Sequence, residues 1–323
     1  SADFERGVAM RIENTTSFPY VMALGATREA KLAYQMGKVI ATEGRALGVH
    51  QNYAPVVDVN LNPLNPIINV RAFGENPQLV SEMADAFMRG MHEGKMISTA
   101  KHFPGHGDTD VDSHSDLPIL AFDRERFEKL ELAPFRDAID HGVMSIMVAH
   151  LSLPAYDTAK GIPSTLSPNI VTKLLKNELH FKGLIVTDAM TMQGVSRAYA
   201  PAEAAVLAVK AGNDLVLLPP NEDVALDALL GAVKRGEIGI ERVDESVRKV
   251  LAAKAWLGLH RNRFVYPDTI FAAVSPKKHL RLAKEIARRA ITLVKNEMNL
   301  LPLEKFGPKK VASLIVSDDA LPT

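Results

Sequence analysis

Short strand-like runs, each followed by a helix-like stretch, constrain this chain more than any other feature. They fall at 50–55, 97–102, 143–148, 183–187 and 214–218. Their spacing of roughly 30 to 45 residues is the rhythm of parallel strands joined by right-handed helical crossovers. Their apolar character is continuous rather than alternating, as in strands buried on both faces. Between them the sequence predicts helices over 27–47, with Thr27 as cap and Gly48 past the end, and over 77–93, 124–139, 202–211, 222–235 and 241–256. Ser167-Pro168 opens one more, with Ser as cap and Pro at the first position. Asp58, Lys101, His102, His150 and Asp188 stand at or just beyond the ends of the runs. Barrels and open α/β sheets both place their sites there, so the rhythm alone leaves the two architectures open.

The run at 97–102 leads into the densest polar stretch of the chain. Residues 101–116, Lys-His-Phe-Pro-Gly-His-Gly-Asp-Thr-Asp-Val-Asp-Ser-His-Ser-Asp, hold three histidines, four aspartates and one lysine. A core has no use for so many ionisable groups, because each must be paired or hydrated. Their crowding beyond a strand end points to an active site. A zinc site built from His102, His106, Asp108, Asp112 and His114 is the rival reading. The turns at Pro104-Gly105 do not set two histidines on one helical face, so the reading adopted has no metal and no cofactor.

Lys-His-Phe-Pro-Gly-His-Gly over 101–107, followed by Asp112-Ser113-His114, resembles the signature of the β-N-acetylglucosaminidases of glycoside hydrolase family 3. The resemblance extends to Ala54-Pro55-Val56-Val57-Asp58-Val59-Asn60, Asn69-Val70-Arg71-Ala72-Phe73-Gly74-Glu75, Met147-Val148-Ala149-His150 and Val186-Thr187-Asp188-Ala189-Met190, and so covers nearly the whole chain. It implies an α/β fold of the TIM-type (β/α)8 barrel and an exo-acting, retaining enzyme. Asp188 is then the nucleophile, and His114, oriented by Asp112, the acid/base. Retaining chemistry needs one group of each kind on either side of a glycosidic bond. An imidazole can give a proton and later take one. The resemblance also implies sugar contacts from Asp3, Arg11, Arg71, Lys101 and His102. The competing fate for Arg71 is a surface ion pair with Glu75. Met147, with Met190, is a candidate to line a pocket for an acetamido methyl group.

The partner implied is a carbohydrate with a terminal β-linked N-acetylglucosamine, most plausibly a peptidoglycan-derived GlcNAc–MurNAc fragment in a bacterium. The acceptor is left open between water and inorganic phosphate, which would make the enzyme a phosphorylase. A β-glucosidase of the same family is disfavoured, because those enzymes generally draw their acid/base carboxylate from a second domain and lack this loop. An inactive sugar-binding barrel is the rival of another class.

Composition excludes other partners. Lys plus Arg and Asp plus Glu are both 38, which offers no basic surface for nucleic acid. No apolar run reaches membrane-spanning length. With no cysteine, no thiolate metal site is possible. Ser1 to Arg6 carries no initiator Met and no signal pattern. Asp3-Phe4-Glu5-Arg6-Gly7 resembles the family's segment at the end of the second barrel strand. The expectation is a barrel over 1–258 lacking its first strand, a linker over 259–276, and the beginning of a C-terminal α/β sandwich domain over 277–323, with a strand at 310–316. The compartment is left open.

Overall fold

The computed structural model describes residues 1–159 and 161–296. Its centre is a parallel sheet ordered β1 (Gln51–Asn52), β2 (Ile97–Phe103), β3 (Ser145–Val148) and β4 (Leu184–Thr187). Gln51 faces Ile97, Thr99 faces Ser145, and Ser145 faces Leu184, with a register shift in β2 between Ala100 and Phe103. Parallel bridges from Ala2 to Asn52 and from Leu215 to Val186 extend the sheet at both edges. β2, β3 and β4 are buried along their whole length, as central parallel strands must be. Helices fill the crossovers, giving the TIM-type α/β barrel architecture.

A short helix outside the expected ones, α1 (Val21–Thr27), precedes the helix expected over 27–47, which runs as α2 (Ala30–Ala46). Thr27 closes the first rather than capping the second. Its hydroxyl donates to the Leu24 carbonyl, and Arg28 takes the left-handed conformation at φ 54. The helix α3 (Pro77–Glu93) matches its expected limits, with the Asn76 side chain accepting from the Leu79 N–H at 2.9 Å. It crosses α2 in close contact. A Cβ on Gly90 would lie 2.0 Å from the Tyr34 carbonyl oxygen, and one on Gly37 2.2 Å from that of Phe87.

The helix expected over 124–139 is broken into α4 (Arg124–Lys129) and α5 (Ala133–Asp140). Pro134 has no N–H for the Leu130 carbonyl, so the ladder stops there. Ser167 does open its helix, accepting from the Ile170 N–H at 3.3 Å, but Asn169–Glu178 is wound as a π-helix. After β4 come α6 (Gln193–Ser196), α7 (Pro201–Ala211), α8 (Glu222–Lys234) and α9 (Ile240–Trp256). The strand expected at 214–218 is reduced to the Leu215 bridge. Backbone bonds between Ile185, Thr187 and Leu215 remain, but side chains replace the ladder at its ends: Asp214 accepts from the Ile185 N–H, and the Leu217 N–H donates to Thr187 Oγ1. Leu218 then turns to φ 45, and Pro219 and Pro220 bring no donor.

The stretch expected as a linker holds α10 (Pro267–Ala273), and α11 (Lys277–Arg289) follows. Sequence texture put the start of a second domain at 277, whereas α11 packs on α1 and α2, and the compact unit runs from Ser1 to Ile291. The strand expected at 310–316 lies outside the described residues. Among the described residues no helix is long and apolar enough to cross a membrane.

Glu43 explains the docking of α11. This carboxylate, 1% exposed on α2, accepts from the Thr16 N–H and hydroxyl, the Ser275 N–H and His279 Nδ1 at 2.7 Å. Burial pushes its carboxyl up, and the donors, His279 first, hold it below the ordinary glutamate value. The stabilisation is therefore fully present above an unfolded pKa of about 4.3 and lost as pH falls through the lower folded value. Glu43→Ala leaves several buried donors unmatched and should cost about 2–4 kcal/mol at neutral pH in urea unfolding. The gap to wild type should narrow below about pH 4. A gap independent of pH would mean that the charge is not what matters.

Candidate active site

The C-terminal ends of the strands open into one pocket of about 550 Å³. Asp188 enters it directly from β4. Its N–H donates to the Val148 carbonyl at 2.8 Å, continuing the β3–β4 ladder, and its Oδ1 accepts from the Ala189 N–H at 2.7 Å. A carboxylate on the last rung of a buried strand has little freedom to wander. Burial pushes its carboxyl up, but His102, His150, the Ala189 N–H and Lys101 outweigh burial and hold it below the ordinary aspartate value. It is therefore an anion at neutral pH.

One wall of the pocket is a chain of charges. Lys101, 2% exposed, places Nζ 2.9 Å from Asp3 Oδ1 and 2.8 Å from Glu5 Oε1. Arg71 grips Glu5 with two bonds, Nε to Oε2 at 3.0 Å and Nη2 to Oε1 at 2.7 Å. Arg11 pairs with the other oxygen of Asp3 at 2.8 Å. A lone buried ammonium costs several kcal/mol, which only paired carboxylates offset. Burial lowers the Lys101 pKa, but Glu5 and Asp3 raise it further and keep the ammonium charged. Glu5 is driven well below the carboxylate range, with Lys101 and Arg71 overcoming its burial. Arg71 thus does not form the surface pair with Glu75.

His102 stands where the chain of charges meets Asp188. Its Nδ1 lies 2.7 Å from Asp58 Oδ2, and its Nε2 lies 3.2 Å from Arg71 Nη2. Nδ1–H therefore donates to the carboxylate and Nε2 accepts from the guanidinium, which sets the tautomer. Fully buried Asp58 also accepts the backbone N–H of His102 and of His106. It fastens both ends of the turn after β2. Below Asp188, His150 Nε2–H donates to the Ala189 carbonyl at 3.0 Å. Burial lowers its pKa.

The loop 103–116 folds over the pocket. His106 is clasped between Thr109 Oγ1 at 2.8 Å and Ser113 Oγ at 2.9 Å, and burial lowers its pKa to about 4. Arg126 ties Asp108 of this loop to buried Glu131. His114 is the exposed member, its Nδ1 2.8 Å from Asp112 Oδ1. Its ring faces the pocket, and the Gly194 N–H holds the loop through the Ser113 carbonyl at 3.2 Å. His106 also lines the pocket, whereas Asp108 does not. Among the described residues no group of His, Cys, Asp or Glu side chains is arranged to hold a metal ion.

Asp3, Arg11, Arg71, Lys101, His102, His114, Met147 and Asp188 all line this one pocket, and Asp112 touches it through His114. Met190 does not: it packs against Leu166, Val195 and Ala204. Sequence reasoning passed over Glu5, although an extended segment puts Asp3 and Glu5 on the same side. It also passed over the rim residues Arg6, Met10, Tyr20, Met192, Leu217 and Leu218. No pattern in the sequence marks them, because they come from three separate segments.

Residues 1–253 match the Glycosyl hydrolase family 3 N terminal domain. Beta-hexosaminidase A of Pseudoalteromonas piscicida is 35% identical over 340 residues, covering 98% of this chain and 56% of that protein. A solved glycoside hydrolase family 3 beta-N-acetylglucosaminidase from Paenibacillus sp. str. FPU-7 is 42% identical, with a TM-score of 0.86 over 92% of this chain and 57% of that one. A solved beta-glucoside phosphorylase, BglX bound to 2FGlc, is 32% identical, with a TM-score of 0.88 over 94% of this chain and 56% of that one. The chain thus spans just over half the length of these relatives.

Proposed function

This chain belongs to glycosyl hydrolase family 3, and from that premise we propose that it carries the active site of an exo-acting, retaining β-N-acetylglucosaminidase. The observation that supports this best is the placement of Asp188 and the Asp112-bound His114 on one pocket. Asp188 attacks the anomeric carbon as the leaving oxygen takes a proton from His114, giving a glycosyl-aspartate. Water then gives His114 a proton, bonds to the anomeric carbon and frees the carboxylate. Asp112 orients the imidazole and stabilises its cation, the role of the aspartate in a serine protease triad. Asp3, Arg11, Arg71, Lys101 and His102 hold the terminal sugar by its hydroxyls, and Met147 offers the acetamido methyl an apolar contact. No step requires a cofactor. Peptidoglycan-derived fragments ending in β-GlcNAc are the natural substrates most in keeping with the bacterial relatives.

Likeness to the beta-glucoside phosphorylase supports inorganic phosphate as a second acceptor. A spent carboxylic acid would be an anion that repels phosphate, whereas a spent imidazole is neutral. Paired assays of p-nitrophenyl β-N-acetylglucosaminide and β-glucoside test the reading. The N-acetyl sugar should be favoured by about tenfold or more in kcat/KM. Preference for glucose would make it a β-glucosidase, and no turnover of either would leave a sugar-binding barrel.

A further inference from the structure

The second histidine of the 101–107 motif, His106, has no part in the proposed chemistry, yet it lines the pocket beside Ser113 and His114. The hydrogen bonds around it have only one consistent set of directions. Asn65 Oδ1 accepts the N–H groups of Ile67 and Ile68, at 2.9 and 2.8 Å. Asn65 Nδ2 is therefore the donor to the His106 carbonyl at 2.8 Å and to Thr109 Oγ1 at 3.2 Å. The single proton of the Thr109 hydroxyl goes to the same carbonyl, at 3.2 Å. Thr109 Oγ1 can then only accept from the ring at 2.8 Å, so His106 carries its proton on Nδ1. Burial keeps the ring neutral, which leaves Nε2 as an acceptor. The donor that meets it is the Ser113 hydroxyl, 2.9 Å away. Asn65, Thr109, His106 and Ser113 are each 1% exposed, so water cannot replace a lost partner. The near end of this chain is anchored to the barrel. The His106 N–H donates to Asp58 Oδ1 at 2.7 Å, and a Cβ on Gly107 would stand 1.7 Å from the Val59 carbonyl oxygen. The far end is the residue before His114. A histidine that only filled space would need no such ordered set of partners.

Resting on the glycosidase reading above, we propose that His106 is a positioning residue for the acid/base, fixing through the Ser113 hydroxyl the backbone on which His114 stands. It touches no reacting atom and moves no proton. Asp112 orients the His114 ring and also takes the His114 N–H at 2.7 Å. Both members of that pair are on the exposed side of the loop, whereas the Ser113 side chain between them points into the buried clasp. The clasp thus sets where the pair stands relative to Asp188. A proton donor displaced by about 1 Å loses much of its effect, and an exposed loop holds that precision only where buried hydrogen bonds fix it.

The test uses the intact protein and two substrates, a dinitrophenyl β-N-acetylglucosaminide and an N-acetylglucosaminyl disaccharide whose leaving oxygen needs a proton. Ser113→Ala removes only the donating hydroxyl. His106→Asn keeps a donor near Thr109 and loses the acceptor for Ser113. Each should lose about tenfold or more in kcat/KM on the disaccharide and less than about twofold on the dinitrophenyl glycoside. His106→Gln, whose Oε1 can stand where Nε2 does, should restore most of the loss. Combining His106→Asn with Ser113→Ala should add little, because both cut the same bond. The dinitrophenyl rate reports how much of each variant is folded. An equal loss on both substrates, or a change within about twofold on the disaccharide in Ser113→Ala, overturns the proposal. His114→Ala, run alongside, tells the two failures apart. A split between substrates there, with none in Ser113→Ala, overturns the clasp alone, whereas no split in His114→Ala overturns the parent assignment and this role with it. Amide hydrogen exchange reads the clasp without any substrate. Residues 112–116 should exchange about tenfold faster in Ser113→Ala, and unchanged exchange overturns the clasp whatever the kinetics.

Discussion

Asp188→Ala should abolish turnover while the pocket keeps its sugar. The loss in kcat is expected to be on the order of 10⁴-fold or more, because removing the nucleophile removes the covalent route altogether. Affinity for N-acetylglucosamine should change by less than about threefold, since the hydroxyl contacts assigned to the Asp3–Lys101–Glu5–Arg71 chain remain. Excess azide should restore turnover of an activated aryl substrate by entering the space left by the carboxylate. Attack from that face would give the α-glycosyl azide. Near-wild-type turnover in the variant would remove Asp188 from the mechanism, and collapse of sugar binding would recast it as a binding residue.

His114→Ala should split substrates by leaving group. A poor leaving group needs its oxygen protonated as the bond breaks, and general acid help of this kind is worth about 10²- to 10⁴-fold. Natural disaccharides should lose in that range. A dinitrophenyl glycoside, which leaves readily as an anion, should lose less than about tenfold in the glycosylation step. His114 is exposed and donates to Asp112 alone, so its removal should leave the fold and the charged wall intact. An equal loss on both substrate types would point to a structural defect instead of a lost proton donor.

The strands and the polar residues at their ends were legible because a buried parallel strand must be apolar and its C-terminal end must leave the core. Lys101, His102 and Asp188 could be placed for that reason. The signature loop was legible as a candidate site, and the resemblance singled out His114 and Asp112, but residue types alone did not separate the histidines inside it. His106 and His114 look alike in sequence, and only packing tells the clasped, neutral ring from the exposed one. Glu5 was overlooked because a lone glutamate in an extended segment looks like surface until Lys101 arrives from 96 residues away, across the sheet. The break at 130–132 was hidden by a continuous amphipathic pattern, although Pro134 removes the donor that would carry the ladder across it. The strand at 214–218 shrank to the bridge at Leu215 because Asp214 and Thr187 side chains took the hydrogen bonds on either side of it.

The central claim is a covalent bond to one carboxylate. A fluorinated β-N-acetylglucosaminyl donor that forms the glycosyl-enzyme quickly and releases it slowly makes that bond visible. After incubation, digestion and mass spectrometry, one peptide should gain the mass of the fluorinated sugar, and fragmentation should place it on Asp188. Label on any other residue, or full inactivation with no covalent label, would contradict the account.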